Sequence, residues 1–503
     1  MTFETIKEKM FSMIKNKHEI IINLAILLVL ITGIILRIKV YLYGQGIIGD
    51  QVSLVYLNVM QRNYLDLFQP LDGGQVAPPL FLVMTKFFFT IGKNINGLFY
   101  AGFGAKFFAQ ICSLASIFAF YALLNKVFKN KLYIIICLML FCFNAAALNY
   151  AQEAKQYSTD LLFSVLLIYI FYTVNFKQDS VKKISFYSLI LVLSLWFSTS
   201  APFVIAAGFC YLIFDFIKNK TYDKKFLIVL IPFALSFLIW FLVYYIPVKE
   251  FTYGFMYKFW STQDPKFLSH KGFKIFSAEL NRLIPFNLVV PSFIAGILIL
   301  LQKKENKILA LTGLPILLCM FVSFLNHYPF ELRLILFLLP SIIIITMAFL
   351  LYIEENKNNY ILILIFVIVS CLQQFENSVS RRIFYKSDII QQMKYIVDNK
   401  KELSGILTFY HNDFAYYLRL CDLNMKIIFM DSSYNKEKIN RVISSLEKNK
   451  TYIIAIPTTM WHTKTYSIEL KQHIQNDKNV KIIDIKKSKE GKNIYLIKFK
   501  IVK

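Results

Sequence analysis

The hydrophobic residues of this chain fall into long blocks separated by short polar segments. Each block is roughly 17 to 25 residues long, which is the length of an α-helix that crosses a bilayer. The pattern predicts eleven membrane-spanning helices, at residues 20–36, 100–125, 131–149, 157–176, 184–199, 202–217, 226–247, 286–301, 308–325, 332–351 and 359–375. A further apolar run, residues 78–91, is shorter and carries Lys86 in its middle. We expect it to lie as a helix at the membrane interface and not to span.

The pattern changes after residue 375 to that of a small soluble domain. Short β-branched runs at residues 405–410, 426–430, 452–457, 481–485 and 494–501 alternate with helical patterns at 388–400, 436–449 and 467–476. This alternation predicts an α/β domain over 376–503, after a transmembrane domain over 1–375 with two long external loops, 41–99 and 248–285. The tail contains no glycine-rich phosphate loop, so nothing in it indicates a nucleotide cofactor.

Composition and charge agree with a polytopic α-helical membrane protein. Of 503 residues, 57% are hydrophobic and only 17% are charged, whereas soluble domains carry about 25% charged residues. The net charge of +25 would suggest nucleic acid in a soluble protein. Here the lysines cluster in alternate loops, which predicts a cytoplasmic N-terminus and an external C-terminal domain, and no nucleic-acid partner. Six of the seven cysteines lie in apolar blocks, leaving Cys421 alone in the tail, so no disulfide framework is expected.

The first candidate for chemistry is Asp50, which comes directly after the first predicted span with Gln51 behind it. Three glycines precede it, and an amphipathic pattern that would lie on the membrane surface follows it. A carboxylate at this position meets both lipid-borne and aqueous substrates. A second interpretation, compatible with the first, is that Asp50 caps the helix that follows.

Two further polar clusters lie at the predicted outer ends of spans. The first contains Glu153, Lys155, Gln156, Tyr157 and Asp160, and the second contains His327, Glu331 and Arg333. Asp160 is expected to face the interior of the bundle, since an unpaired charge facing lipid is costly. A solvated turn remains an alternative for Glu153 and Lys155, and interfacial snorkelling for Arg333. No His or Cys spacing typical of a metal site occurs.

Four motifs, in this order, resemble the GT-C membrane glycosyltransferases. They are Gly49-Asp50-Gln51, Ala77-Pro78-Pro79-Leu80, the turn from Glu153 to Tyr157, and the segment from Arg333 to Pro340. The likeness covers residues 20–350 and is greatest to the protein O-mannosyltransferase and aminoarabinose-transferase-like branch of bacterial envelopes. Two positions depart from that pattern, because Ala77 replaces the usual His and Lys155 the usual Arg.

The resemblance implies a function and a set of roles. Such an enzyme moves a sugar, with inversion, from a polyprenyl-phosphate donor to a lipid, polypeptide or glycan acceptor at the outer face of the bacterial cytoplasmic membrane. Asp50 would be the general base, and Lys155 and Arg333 would bind the donor phosphate. The other site candidates are Gln51, Glu153, Gln156, Tyr157, Asp160, His327 and Glu331. No cofactor is required, although a divalent metal ion assisting Asp50 is left open.

Two other functions compete with this one. A transporter of lipid-linked saccharides would carry charges near the middle of the membrane and repeated halves, and neither is evident. A polysaccharide polymerase or ligase would place its arginines in a large late loop, and the loop at 248–285 contains only Arg282.

Overall fold

The computed structural model describes residues 3–43, 46–47, 49–94, 98–220, 222–249, 270–284, 289–325, 327–357, 389–408, 411–430, 436–456, 463–487 and 494–502. Helices occupy most of each predicted apolar block that lies in the described residues. Their bounds are Phe3–Tyr43, Leu98–Val127, Lys131–Cys142, Ala145–Tyr150, Tyr157–Thr173, Val181–Phe197, Ala201–Asn219, Leu227–Trp240, Val289–Gln302, Asn306–Phe324 and Leu339–Lys357. The predicted span at 359–375 lies outside the described residues.

The apolar helices support a membrane protein. Within the described ranges, five helical segments are long and apolar enough to cross a bilayer: Glu19–Leu42, Gly102–Val127, Ala201–Asn219, Lys224–Lys249 and Asn306–Phe324. Shorter apolar helices lie at Lys131–Cys142, Tyr157–Thr173, Val290–Gln302 and Leu336–Tyr352. The number of spans and their direction across the membrane therefore stay predictions.

Two predicted spans differ from the observed helices. The block at 131–149 is broken, because the helix ends at Cys142 and a new one begins at Ala145 with Asn144 as its N-cap. The Asn144 side chain accepts a hydrogen bond from the Ala147 N–H at 2.9 Å and donates to the Leu283 carbonyl at 2.6 Å. The block at 332–351 begins as turns and a short 3₁₀ helix, Leu336–Leu338, before the α-helix starts at Leu339. Asparagine satisfies the first amides of a helix, which explains the first break.

The first predicted span also continues further than its apolar pattern. Its helix runs on to Tyr43 and carries Arg37, whose side chain is fully buried. The Arg37 guanidinium donates from Nε to Ser113 Oγ at 2.9 Å and from Nη1 to the Cys142 carbonyl at 3.1 Å. A buried arginine needs such acceptors, because an unsatisfied buried charge is strongly destabilising.

The chain divides into two compact units. The first unit comprises Met1–Leu42, Tyr64–Met84 and Phe108–Phe384, and the second comprises Tyr43–Asn63, Thr85–Phe107 and Tyr385–Lys503. Along the chain, the apolar helices are separated by further helical segments. These are Asp50–Leu54, Val55–Val59, Leu65–Phe68, Asp72–Gly74, Pro79–Asn94, Lys224–Phe226, Phe241–Tyr245 and His270–Leu283. The second unit thus contains both the residues around Asp50 and the C-terminal tail.

The tail has a five-stranded mixed sheet, and its strands overlap the five predicted β-branched runs. The strands are β1 Gly405–Thr408, β2 Lys426–Phe429, β3 Thr451–Ala455, β4 Val480–Lys487 and β5 Ile494–Ile501, in the order β2-β1-β3-β5-β4. β1 pairs in parallel with β2 and β3, whereas β5 is antiparallel to both β3 and β4. Helices lie at Ile389–Asp398, His411–Leu420, Lys436–Ser444 and Thr463–Asn476. The helix His411–Leu420 was not predicted from the sequence.

Candidate functional site

Asp50 is exposed at the start of a short helix in the second unit. The helix Asp50–Leu54 continues as a π-helical turn, Val55–Val59, and it buries Val52, Leu54, Val55 and Val59 completely. The predicted amphipathic pattern is therefore confirmed. Gly49, not Asp50, occupies the N-cap position, so the interpretation of Asp50 as the cap is wrong. Its carboxylate still lies at a helix N-terminus, where negative charge is favoured.

The backbone just before Asp50 is held by side chains that sequence reasoning did not single out. Lys106 Nζ donates to the Gly46 carbonyl at 2.7 Å. The Tyr417 hydroxyl accepts from the Ile47 N–H at 2.9 Å and donates to the Ile47 carbonyl at 3.1 Å. The Asp413 carboxylate accepts the Gly49 N–H at 3.0 Å and 3.2 Å. All of these groups belong to the second unit.

The turn before the helix Tyr157–Thr173 carries the second polar cluster, in the first unit. Lys155 and Gln156 are each 4% exposed, so the solvated-turn alternative is wrong for Lys155. Lys155 Nζ donates to Gln75 Oε1, and Gln156 Nε2 donates to the Val76 carbonyl at 3.4 Å. The Tyr244 hydroxyl donates to the Ala77 carbonyl at 2.7 Å. Together these bonds fasten residues 75–77 of the first loop beside this turn.

Asp160 faces the interior, as predicted, with only 2% of its surface exposed. Its carboxylate accepts hydrogen bonds from Ser198 Oγ at 2.6 Å and from the Thr199 N–H at 2.8 Å. The Thr199 hydroxyl also donates to it, at 3.1 Å. These bonds order the turn that begins the helix Ala201–Asn219, which gives Asp160 a structural role. Tyr157 is buried as well, with its ring 5.1 Å from that of Tyr150.

The third cluster contains an ion pair and lies near the same tyrosine as part of the second. Arg333 Nε donates to Glu331 Oε2 at 3.1 Å, and both side chains are partly exposed. Glu153, Glu331, Arg333 and Arg282 all lie within electrostatic reach of Tyr150. Glu153 and the third cluster thus both lie near Tyr150. His327, by contrast, is exposed.

Arg282 was not among the sequence candidates, and Glu279 links it to the segment that contains the third cluster. Glu279 accepts from Arg282 Nη1 at 2.6 Å and from the Leu332 N–H at 2.8 Å. These bonds tie the helix His270–Leu283 to the turn that contains Arg333. The helix His270–Leu283 has a strongly amphipathic sequence, which is the signal that could have indicated its packing against this turn.

A metal site requires several His, Cys, Asp or Glu side chains close together. Within the part of the chain that the structure describes, no group of three or more such residues lies close enough to hold a metal ion. No step proposed below passes through a metal ion.

Comparison with known proteins identifies the fold. No protein-family model matches the sequence, and no curated protein matches it. The structure is similar to the crystal structure of ArnT from Cupriavidus metallidurans in the apo state, with a TM-score of 0.50, 8% identity, and coverage of 96% of this chain and 98% of that chain. ArnT bound to undecaprenyl phosphate gives a TM-score of 0.50, 8% identity, and coverage of 94% and 97%.

An archaeal enzyme shares the same architecture. The Archaeoglobus fulgidus oligosaccharyltransferase in complex with Zn and sulfate gives a TM-score of 0.50, 11% identity, and coverage of 90% of this chain and 69% of that chain. ArnT is an aminoarabinose transferase, and both proteins are GT-C membrane glycosyltransferases. The resemblance of the sequence motifs to this group is therefore confirmed at the level of the fold.

Proposed function

We propose that this protein is a membrane glycosyltransferase that takes a sugar from a polyprenyl-phosphate donor. The observation that supports this most is the similarity of its fold to ArnT along nearly the whole of both chains. A fold alone does not define a reaction. The proposal therefore also depends on the exposed carboxylate of Asp50 and the buried ammonium of Lys155.

The donor class follows from what the similar enzyme binds. ArnT is described in complex with undecaprenyl phosphate, a polyprenyl phosphate. We propose the same class of lipid as the sugar carrier here, and an acceptor at the outer face of the cytoplasmic membrane. The sugar is a hexosyl or pentosyl group, and the acceptor offers a hydroxyl or phosphate oxygen on a lipid, polypeptide or glycan.

In the proposed reaction Asp50 is the general base. The acceptor oxygen attacks the anomeric carbon of the sugar while the bond from that carbon to the lipid phosphate oxygen breaks. The acceptor's proton passes to the Asp50 carboxylate, and the lipid phosphate leaves with the bonding electrons, which inverts the anomeric configuration. A phosphate is already a good leaving group, so the reaction requires a base and cations but no strong general acid.

Lys155 and Arg333 are proposed to bind the donor phosphate. The amide oxygen of Gln75 carries no net charge, so its contact with Lys155 orients the ammonium without cancelling its positive charge. A fixed cation in a partly desolvated site stabilises developing phosphate charge more than it would in water. Glu331 orients the guanidinium of Arg333 through Nε, but as a carboxylate it also offsets part of the positive charge of Arg333.

The test is incubation of the purified full-length protein with a panel of polyprenyl-phosphate sugars and a bacterial envelope extract that supplies lipid, polypeptide and glycan acceptors, measuring release of the lipid phosphate. Asp50→Asn should lower the rate of transfer at least about 100-fold while leaving donor binding largely unchanged, because the amide cannot take the proton. Asp66→Asn is the matched control, since Asp66 is another exposed aspartate of the same loop. It should transfer sugar at a near-normal rate.

Two outcomes would contradict the proposal. If wild-type protein releases no lipid phosphate from any donor of the panel, the glycosyltransferase function is wrong. If Asp50→Asn transfers sugar at the wild-type rate, the base is another carboxylate, and Glu153 would be the next to substitute.

A further inference from the structure

The segment that leads into Asp50 is fixed through its backbone. The carbonyl of Gly46, both polar groups of Ile47 and the N–H of Gly49 each have a side-chain partner, as described above. Two of the three partners, Asp413 and Tyr417, are one turn apart on the helix His411–Leu420 of the C-terminal tail. We call Asp413 and Tyr417 the backbone clamp.

Gly49 has a backbone conformation that depends on such support. Its φ is 58° and its ψ is −122°, in a region that only glycine adopts readily. Backbone in such a region persists only when the surrounding structure holds it. The Asp413 carboxylate, through both of its oxygens, holds the N–H of this residue directly before Asp50.

The side chains of the clamp are fully enclosed. Asp413 is 5% exposed and Tyr417 is 0% exposed. Burial raises the pKa of Asp413 to about 7, although the Gly49 N–H favours the ionised form. A carboxylate buried in this way costs folding free energy. A cost of this kind is typical of residues that are kept for function.

We propose that the backbone clamp positions Asp50, so that the transfer reaction depends on the C-terminal tail. This inference rests on the proposed function, in which Asp50 is the general base. Asp413 and Tyr417 are positioning residues, since they act on the backbone next to Asp50 and not on the substrate. A base displaced by about 1 Å can lose a factor of about 100 in rate.

The first measurement is hydrogen–deuterium exchange of the full-length protein in detergent, followed in peptides that cover residues 46–52. Asp413→Ala and Tyr417→Phe should each speed exchange in these peptides. Asp413→Asn keeps one acceptor oxygen and should show a smaller effect. Arg419→Ala is the matched control, because Arg419 is an exposed residue of the same helix, and it should leave exchange unchanged.

The second measurement is a double-mutant cycle on transfer from a polyprenyl-phosphate sugar. Asp413→Ala and Tyr417→Phe should lower kcat about 10- to 100-fold, with little change in KM for the donor. Adding Asp413→Ala to Asp50→Asn should cause almost no further loss, because the clamp acts through Asp50. A merely structural role predicts instead that the two losses multiply.

The outcomes separate this inference from the proposed function. If exchange over residues 46–52 is the same in wild type, Asp413→Ala and Tyr417→Phe, the clamp is overturned whether or not the protein transfers sugar. If wild type is active and both variants keep normal kcat, or the losses multiply, the positioning role is overturned while the glycosyltransferase function stands. If Asp413→Ala fails to fold, Tyr417→Phe and Asp413→Asn supply the same comparisons.

Discussion

At the scale of single residues, Lys155 combines a positive charge with burial. Lys155→Met keeps most of the side-chain volume but removes the charge, so donor phosphate would lose a fixed cation. We expect a fall of about 100-fold in kcat/KM, the loss typical of removing one charge-stabilising donor. Lys155→Arg keeps the charge and should retain more activity. The measurement is lipid-phosphate release by purified variants.

A matched control for Lys155 exists in Lys183, which pairs with Asp179 at 2.6 Å in a loop predicted to be cytoplasmic. Lys183→Met should leave kcat/KM unchanged. Wild-type activity in folded Lys155→Met protein would show that Lys155 serves only to hold the segment 75–77 through Gln75.

Asp413 provides a pH-dependent measure of stability. Burial raises its pKa from 3.8 to about 7 in the folded protein. Between these values the folded state keeps a proton that the unfolded chain has lost, so stability contributed by the protonated carboxyl falls as pH rises through this window. The slope is about 1.4 kcal/mol per pH unit. Asp413→Asn does not titrate, and its melting temperature should rise relative to wild type between about pH 4 and pH 7 and then differ by a constant amount.

Asp422→Asn is the control for this measurement, because Asp422 is an exposed aspartate of the same unit. Its melting temperature should follow that of wild type at every pH. A constant difference between wild type and Asp413→Asn from about pH 4 to pH 7 would mean that Asp413 is not buried in this way.

At the scale of helices, packing in the membrane part depends on glycine where two backbones meet. A Cβ added at Gly296 would lie 2.1 Å from the Ile345 carbonyl oxygen on the helix Leu339–Lys357. Close approach of this kind is how helices associate in bilayers. Gly296→Ala should force the two helices apart and destabilise the protein by about 1–3 kcal/mol, measured as a lower melting temperature in detergent.

Gly313 is the matched control for Gly296, because it lies in another apolar helix where an added Cβ would make only ordinary van der Waals contact. A Cβ at Gly313 would meet only Leu309 of its own helix, at 3.4 Å. Gly313→Ala should be neutral or slightly stabilising, since alanine has the higher helix propensity. Equal melting temperatures for the two variants would contradict the close approach at Gly296.

Which elements could be predicted depends on how local their signals are. The apolar blocks and the β-branched runs of the tail reveal helices and strands, because each pattern lies within one segment. The helix His411–Leu420 was missed, since its tyrosines and phenylalanine also suit a strand. Asn144 breaks a predicted span through one side chain within an apolar block, which a window average does not show.

In the candidate site, too, only the residues with a local sequence signal could be predicted. Asp50, Lys155 and Arg333 could be chosen because they lie beside apolar blocks in motifs with a family pattern. The bond from Gly49 to Asp413 joins residues 364 positions apart, and the bond from Lys155 to Gln75 joins residues 80 positions apart. Neither pairing leaves a local signal, so the partners of these residues appear only in the folded chain.

At the scale of the whole molecule, the direction in which the chain crosses the membrane decides on which side the proposed reaction takes place. Lysine clusters in alternate loops and an odd number of predicted spans predict that the tail lies outside the cytoplasm. The native Cys421 is a poor probe of this prediction, because burial raises the pKa of its thiol to about 11. The thiolate is the reactive form, so labelling there would be slow.

Two exposed lysines provide better probes, since Lys478 lies in the tail and Lys129 in a loop predicted to be cytoplasmic. Lys478→Cys should react with a membrane-impermeant thiol reagent in intact cells with a permeabilised outer membrane. Lys129→Cys should react only after lysis. For both variants, the labelling of the wild-type protein is subtracted as background. The reverse pattern would invert the topology. One predicted span, residues 100–125, separates Asp50 from Lys129, so in the inverted topology Asp50 would face the cytoplasm. A reaction at the outer face would then be contradicted together with the topology.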